Sequence, residues 1–118
     1  MLLVEDDASV RASAARMLCK LGYNVLEASS GNDAVRIAGE HVGGIHLVLT
    51  DVVMPGMSGC KLVSQLEAVR QGIKALYTSG YTDDVIVHHG ILDLDVAFIQ
   101  KPFSLDALAQ KVREAIDL

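Results

Sequence analysis

Short apolar segments alternate with longer segments in which apolar residues recur at helical spacing. Each short segment is bounded by Gly, Asp, Ser or Pro, as is typical of buried strands. Strands are predicted at Met1–Val4, Asn24–Ala28, Ile45–Thr50, Lys74–Ser79 and Val96–Gln100. Five helices are predicted after these strands. The first stops at Gly22, the second follows Ser30 and the third precedes Gly72. The fourth runs from Thr82 to about Gly90, and the fifth begins at Ser104.

This alternation predicts an α/β fold, a (βα)5 doubly wound sheet of five parallel strands with helices on both faces. Right-handed crossovers are expected between its strands. Residues 1–118 are interpreted as a single domain. The sequence begins inside the first strand and ends with the last helix, which is consistent either with a domain cut from a longer protein or with a minimal stand-alone unit.

Composition narrows the class of protein. The 118 residues are 51% hydrophobic and 21% charged, which suits a compact domain with a buried core. The net charge is −5 and the ten Lys and Arg residues are scattered, which argues against a nucleic-acid surface. No apolar run approaches the roughly 20 residues of a membrane span, so we expect a cytoplasmic domain without membrane contact.

The two cysteines, Cys19 and Cys60, are far apart in sequence and outside any C-x-x-C spacing. Neither a zinc site nor a redox pair is therefore indicated, and both are expected to be buried, inert thiols. Cys60 lies at a predicted helix start, which leaves a thiol of lowered pKa as the alternative.

Polar residues mark the carboxyl ends of four predicted strands. The first strand runs into Glu5, Asp6 and Asp7, the third into Asp51, the fourth ends at Ser79 and the fifth is followed by Lys101. In an open α/β sheet, ligands bind outside these strand ends. The sequence therefore predicts that carboxylates, a hydroxyl and an ammonium converge on one edge of the sheet.

The chemistry of this predicted site follows from its charge. Carboxylates gathered from two strands repel one another unless a cation binds, and all-oxygen ligands favour Mg²⁺. Lys101 and Ser79 suit a second anion, since an ammonium and a hydroxyl can hold phosphoryl oxygens. Asp51 is the candidate nucleophile, because a carboxylate can accept a phosphoryl group as an aspartyl phosphate.

Four segments, "LLVEDDASVR", "LVLTDVVMPGMSG", "LYTSGYTDD" and "AFIQKPFS", together resemble the receiver domain of two-component response regulators over essentially the whole chain. The resemblance implies the strand order 2-1-3-4-5, which general descriptions of doubly wound folds give for a receiver. It also implies a phosphoacceptor that takes its phosphoryl group from a phosphohistidine.

The resemblance assigns a role to each matching position. Asp51 resembles the phosphoacceptor, Glu5 and Asp6 the acidic pair that holds Mg²⁺, and the backbone carbonyl of Val53 a further metal ligand. Asp7 falls outside the pair, near the first helix. The remaining positions resemble the hydroxyl that engages the phosphoryl group, the cation, the aromatic switch residue and a cis-proline: Ser79, Lys101, Phe98 and Pro102.

Two rival functions are weighed against a receiver. A phosphatase or phosphotransferase with an aspartyl-phosphate intermediate would usually carry a second Asp two residues after the nucleophile, where this chain has Val53. A pseudo-receiver that only binds partners predicts loss of the acidic, hydroxyl or lysine positions, and all are present. The sequence therefore favours a phosphorylation switch over an enzyme or a pure interaction module.

The resemblance also implies partners. The expected phosphodonor is a histidine kinase or a histidine phosphotransfer domain, and the regulated surface comprises the fourth predicted helix, the fifth strand and the fifth helix. A homodimer through that surface is a further expectation. The segment from "SGYTDD" to "REAID" looks most like receivers fused to hybrid sensor histidine kinases, so the parent chain is expected to be such a kinase.

Overall fold

A computed structural model of the chain describes residues 1–54, 56–79, 97–101 and 103–117. The strands are β1 (Leu2–Val4), β2 (Leu26–Ala28), β3 (Leu47–Asp51), β4 (Lys74–Ser79) and β5 (Ala97–Gln100), and the helices are α1 (Ala8–Lys20), α2 (Gly31–Glu40), α3 (Gly59–Val69) and α4 (Leu105–Asp117). The helix predicted between Thr82 and Gly90, the cis-proline at Pro102 and the side chain of Ser79 lie outside what is described. Helix α4 is the fifth helix of the sequence analysis.

All strands are parallel, and their order in the sheet is β2-β1-β3-β4-β5. Both the predicted (βα)5 architecture and the predicted strand order are therefore confirmed. Strand β3 lies at the centre of the sheet, between β1 and β4, and ends in Asp51. The phosphoacceptor candidate thus lies at the carboxyl end of the central strand, where neighbouring strands supply further side chains.

The helices cover the two faces of the sheet. On what we call the α1/α4 face, strand residues pack with Leu18 of α1 and Leu108 of α4. On the α2/α3 face, they pack with Ala34 of α2 and Leu62 of α3. Because side chains alternate along a strand, β1, β3, β4 and β5 contribute to both clusters, which explains why these strands read as nearly continuous apolar runs.

Helix boundaries follow the predicted signals. The Ser30 hydroxyl accepts a hydrogen bond from the Asp33 N–H at 3.1 Å, and the Ser104 hydroxyl accepts one from the Ala107 N–H at 3.1 Å. Helix α1 ends at Lys20, and Gly22 has a φ of +93°, which a glycine adopts without steric cost.

Three predictions need correction. Strand β3 spans Leu47–Asp51 and not Ile45–Thr50, because its pairing with β4 starts at Leu47 and includes Asp51. Strand β2 begins at Leu26, not Asn24, because pairing with β1 starts at the Leu2–Leu26 register and the Asn24 carbonyl accepts a hydrogen bond from the Met1 amino group at 2.9 Å. Cys19 is exposed on α1, next to the buried Leu18, so the prediction that both thiols are buried is wrong for this one.

Within the described ranges, the helices are too short and too polar to form a membrane span.

Candidate functional site

The loop between β1 and α1 carries one buried acid, Glu5, and one exposed acid, Asp6. Glu5 is buried, and its Oε2 accepts a hydrogen bond from the Asp7 N–H at 3.1 Å, while its own N–H donates to the Ala28 carbonyl of β2 at 3.1 Å. Its backbone carbonyl accepts a hydrogen bond from Nη1 of Arg11 at 2.8 Å. Asp6, the next residue, is exposed. Glu5 is therefore fixed by its neighbours, whereas Asp6 faces solvent.

Asp7 is the N-cap of helix α1. Its Oδ1 accepts hydrogen bonds from the N–H groups of Ser9 at 2.9 Å and Val10 at 3.1 Å. These hydrogen bonds, with one from the Ser9 hydroxyl, lower the pKa of Asp7. The structure thus places Asp7 outside the acidic pair, as the resemblance implied, and gives it a helix-capping role.

Asp51 lies beside the acidic pair. Carboxylate oxygens of Glu5, Asp6 and Asp51 all lie within 4.8 Å of one another. Asp51 is 7% exposed, and its Oδ1 is buried without a hydrogen-bond partner among the described residues. A buried carboxylate oxygen of this kind needs a cation or a donor, and the all-oxygen set matches the ligands that Mg²⁺ prefers.

Lys101 supplies the one ammonium that the described part of the chain brings to these acids. Its Nζ forms an ion pair with Asp51 Oδ1 at 2.8 Å and a hydrogen-bonded ion pair with Glu5 Oε1. The contact with Asp51 lacks hydrogen-bond geometry, so Oδ1 is neutralised but not satisfied as an acceptor. The predicted convergence of carboxylates and an ammonium on one edge is therefore present.

Burial and charge act in opposite directions on these groups. Burial raises the pKa of Asp51 to about 6, against the opposing effect of Lys101 and with a further contribution from the Glu5 charge. Burial acts in the same direction on Glu5, but hydrogen bonds from Lys101 and the Asp7 N–H outweigh it and lower that pKa. For Lys101, the two carboxylates outweigh burial and raise the pKa. Without a metal, Asp51 is therefore the acid that binds a proton more readily.

The other predicted site residues are placed less completely. Val53 is half-buried in the bend that follows β3, and Ser79 is the last residue of β4, paired in register with Gln100. Phe98 of β5 is half-buried, packs against the α2/α3 cluster and pairs in register with Tyr77. Its contacts are those of a core residue, so its role as a switch stays a prediction.

Cys60 does not have the lowered pKa that its helix-start position offered as an alternative. Burial raises the pKa of its thiol, outweighing a hydrogen bond with Tyr77. The interpretation as an inert thiol agrees with this environment.

Gly59 is a site-supporting residue that sequence reasoning missed. A Cβ at this position would lie 2.2 Å from the Asp51 carbonyl oxygen, and the Gly59 N–H donates to the Val52 carbonyl at 2.8 Å. Helix α3 therefore begins in direct contact with the backbone of the candidate phosphoacceptor. The signal in the sequence was a glycine next to a predicted helix start, which is too common to single out.

Comparison with known proteins agrees with this geometry. Residues 1–113 match the family model described as "Response regulator receiver domain". The chain is 40% identical over 117 residues to the sensor kinase CckA of Brucella abortus, covering 99% of this chain but 12% of that kinase. It is 28% identical to the response regulator receiver protein CpdR of the same organism, covering 98% of this chain and 95% of CpdR.

Among solved structures, the receiver domain of the hybrid histidine kinase CckA superposes with a TM-score of 0.79 at 35% identity, covering 98% of this chain and 96% of that one. Because the family match runs through all the strands of the sheet, the chain belongs to the response regulator receiver family, the phosphoacceptor modules of two-component signalling.

Proposed function

We propose that this domain takes a phosphoryl group onto Asp51 from the phosphohistidine of a histidine kinase or a histidine phosphotransfer domain, and that Mg²⁺ is required. The observation that carries the proposal is the grouping of Glu5, Asp6 and Asp51 within 4.8 Å, with the Lys101 ammonium on two of them. In the transfer, a carboxylate oxygen of Asp51 bonds to phosphorus while the bond from phosphorus to the donor imidazole breaks and returns its electron pair to the ring.

Glu5, Asp6, Asp51 and the backbone carbonyl of Val53 would hold the metal. Bound Mg²⁺ would supply positive charge to the phosphoryl oxygens and relieve the repulsion among the acids. Lys101, whose ammonium contacts Glu5 and Asp51, binds a phosphoryl oxygen. The Ser79 hydroxyl engages another, and Phe98 moves into the space that this hydroxyl vacates, which changes the partner surface.

The domain is proposed to catalyse its own phosphorylation and dephosphorylation only, as a switch and not as an enzyme acting on other molecules. Val53 stands where a turnover enzyme would carry an acid, which supports this reading. Residues 1–118 are proposed to belong to a single receiver domain, and a cytoplasmic location is proposed for it. Its regulated surface, formed by the region after Thr82, β5 and α4, binds a partner or a second copy of the domain.

Phosphorylation of the purified domain tests the proposal. With acetyl phosphate and Mg²⁺, we expect one acid-labile adduct, which borohydride trapping and mass spectrometry locate on Asp51. Asp51→Asn should abolish the adduct, and Asp7→Asn is the control because Asp7 caps a helix outside the acidic group. An adduct on Asp6 or Ser79, or one that survives in Asp51→Asn, would overturn the assignment.

A further inference from the structure

Arg11 of α1 contacts the loop that carries the acidic pair. Its Nη1 donates a hydrogen bond to the Glu5 carbonyl at 2.8 Å, and its backbone N–H donates to the Asp7 carbonyl at 2.9 Å. These two carbonyls belong to the residues on either side of Asp6, which is exposed. Arg11 therefore binds the backbone before and after a residue that is proposed to hold the metal.

The hydrogen bond to the Glu5 carbonyl bears most directly on Asp6. A peptide group is planar, so the Glu5 carbonyl and the Asp6 N–H lie in one rigid plane. A hydrogen bond to that carbonyl restricts rotation of the plane, which sets the direction in which the Asp6 side chain leaves the chain. Because Asp6 is exposed, packing does little to fix that direction, and the backbone has to do so.

The Arg11 side chain is itself held in place. Its Nε lies 3.7 Å from Oε1 of Glu27 on β2, and the Arg11 side chain is 21% exposed. The positive charge of Arg11 also contributes to the lowered pKa of Asp33 on α2. The N–H groups of a guanidinium are fixed in one plane, so an ion pair at Nε also restricts Nη1. Glu27 therefore helps to hold the guanidinium toward the Glu5 carbonyl.

The other hydrogen-bonding groups of Glu5 are bound by partners outside α1. Its N–H donates to the Ala28 carbonyl, its Oε2 accepts from the Asp7 N–H, and its Oε1 pairs with Lys101. Loss of the Arg11 side chain should therefore leave the Glu5 carboxylate in place and release mainly the peptide that follows it.

We propose that Arg11 is a positioning residue for Asp6: its guanidinium holds the Glu5–Asp6 peptide so that the Asp6 carboxylate faces the acidic cluster. This inference rests on the Mg²⁺ site proposed for phosphoryl transfer to Asp51. The direction of the effect separates positioning from charge. Removal of a positive charge would by itself strengthen Mg²⁺ binding, whereas loss of positioning weakens it.

Arg11→Met removes the charge and the donors and keeps an unbranched apolar side chain. NMR amide-shift titration at constant ionic strength measures Mg²⁺ affinity. We expect binding about fivefold weaker than in wild type, the effect of one ordinary hydrogen bond. In an Asp6→Ala background, the same substitution should change the affinity by less than about twofold, because the side chain that Arg11 positions is absent.

Arg36→Met is the matched control for net charge. Arg36 is on α2, its side chain is 58% exposed, and it pairs with Asp33 and Glu40. Its removal changes the net charge by the same amount as Arg11→Met without touching the loop between β1 and α1. We expect its Mg²⁺ affinity to stay within about twofold of wild type.

Amide relaxation of the metal-free domain gives a second measurement, which does not depend on Mg²⁺. The order parameter of the Asp6 N–H should be near the rigid-backbone value of about 0.85 in wild type and in Arg36→Met. In Arg11→Met it should fall toward about 0.6, since the peptide plane has lost its donor.

Three outcomes reject the positioning role: an unchanged Asp6 order parameter in Arg11→Met, an affinity that is unchanged or stronger, or an equal loss of affinity when Asp6 is already alanine. If Arg11→Met fails to fold, Arg11→Gln gives the same comparison with a shorter, polar side chain. Absence of Mg²⁺ binding by the wild-type domain would instead reject the proposed metal site, and the order parameter would still decide the role of Arg11.

Discussion

The two faces of the sheet treat their polar groups differently at the carboxyl edge. On the α2/α3 face, the Thr50 hydroxyl contacts the Asp51 carbonyl and Met54 Sδ, and the Tyr77 hydroxyl pairs with the Cys60 thiol. On the α1/α4 face, acids and an ammonium share one buried group of contacts, and two polar atoms lack hydrogen-bond partners among the described residues. Polar groups on the first face are neutral and satisfied, whereas those on the second retain the capacity to bind.

The comparison teaches that burial alone does not mark a functional residue in this fold. Thr50 is fully buried and satisfied, and Asp51, the next residue, is buried and charged on the other face. What separates the two is the direction in which the side chain points from the same strand. A structural change on one face is therefore expected to reach the other face only through the strand backbone that the two faces share.

The largest expected effect tests that shared backbone. Gly59→Ala places a methyl group on the α2/α3 side against the Asp51 carbonyl, which must move, and the free energy of unfolding should fall by about 3 kcal/mol. Urea denaturation measures the loss. Gly39→Ala is the control: a Cβ there has no atom within 4 Å, so a helical alanine should stabilise by about 0.5–1 kcal/mol. Equal effects at both glycines would show that the two faces do not meet at Gly59.

The next prediction distinguishes the two faces by the direction in which the free energy of unfolding changes with pH. Because the pKa of Asp51 is raised to about 6, the folded state binds more protons than the unfolded state between about pH 4 and 6, and stability contributed by this group is lost as pH rises through that window. In metal-free buffer at pH 7, Asp51→Asn should therefore be more stable than wild type by about 2 kcal/mol, and the difference should vanish near pH 4.

Asp33 of α2 should give a pH dependence of stability with the opposite sign. A hydrogen bond from Arg36 and one from the Ser29 N–H lower its pKa, so its contribution to stability is present above about pH 4 and is lost as pH falls. Asp33→Asn should consequently be less stable than wild type at pH 7. Urea denaturation at pH 4 and pH 7 measures both variants, and differences of the same sign would contradict the contrast between the two acids.

The smallest expected effects on stability come from Asp7 and Asp6, in the loop that bears the acidic pair. Asp7→Ala should lower stability by no more than one helix cap and leave Mg²⁺ binding unchanged, because its carboxylate is occupied by backbone N–H groups. Asp6→Ala should leave stability nearly unchanged but weaken Mg²⁺ binding at least tenfold, or about 1.4 kcal/mol, as a direct ligand is lost. Calorimetry measures the affinity, and equal losses in both variants would mean that the acidic pair was assigned wrongly.

Much of the fold could be predicted because local signals agreed with it. The Lys74–Ser79 strand was predicted with its observed bounds, and Ser30 and Ser104 cap helices as expected. The strand order itself came from the resemblance and not from the pattern. The start of β2 was predicted two residues early, since whether Asn24 pairs with β1 or with the chain terminus depends on a register that sequence periodicity does not specify.

The sequence predicted those parts of the site that lie at the carboxyl ends of strands. Asp51, Glu5, Asp6 and Lys101 carry charge at predicted strand ends, so their convergence followed from topology. Gly59 escaped notice for a physical reason: it matters through a contact with the Asp51 backbone, which a sequence pattern does not reveal. Cys19 was expected inside because thiols usually are, but one step around the helix from Leu18 leads to solvent.

The ion pair between Lys101 and Glu5 joins residues 96 positions apart in the chain. Before β5 docks, a folding chain can gather its acids at the ends of β1 and β3 but has no ammonium between them. The acidic cluster is then a source of repulsion, and it becomes a site only when the last strand arrives. Competence of the proposed phosphoacceptor is therefore expected to depend on completion of the fold, so a truncated or partly folded chain should carry Asp51 without the ammonium that the proposed transfer requires.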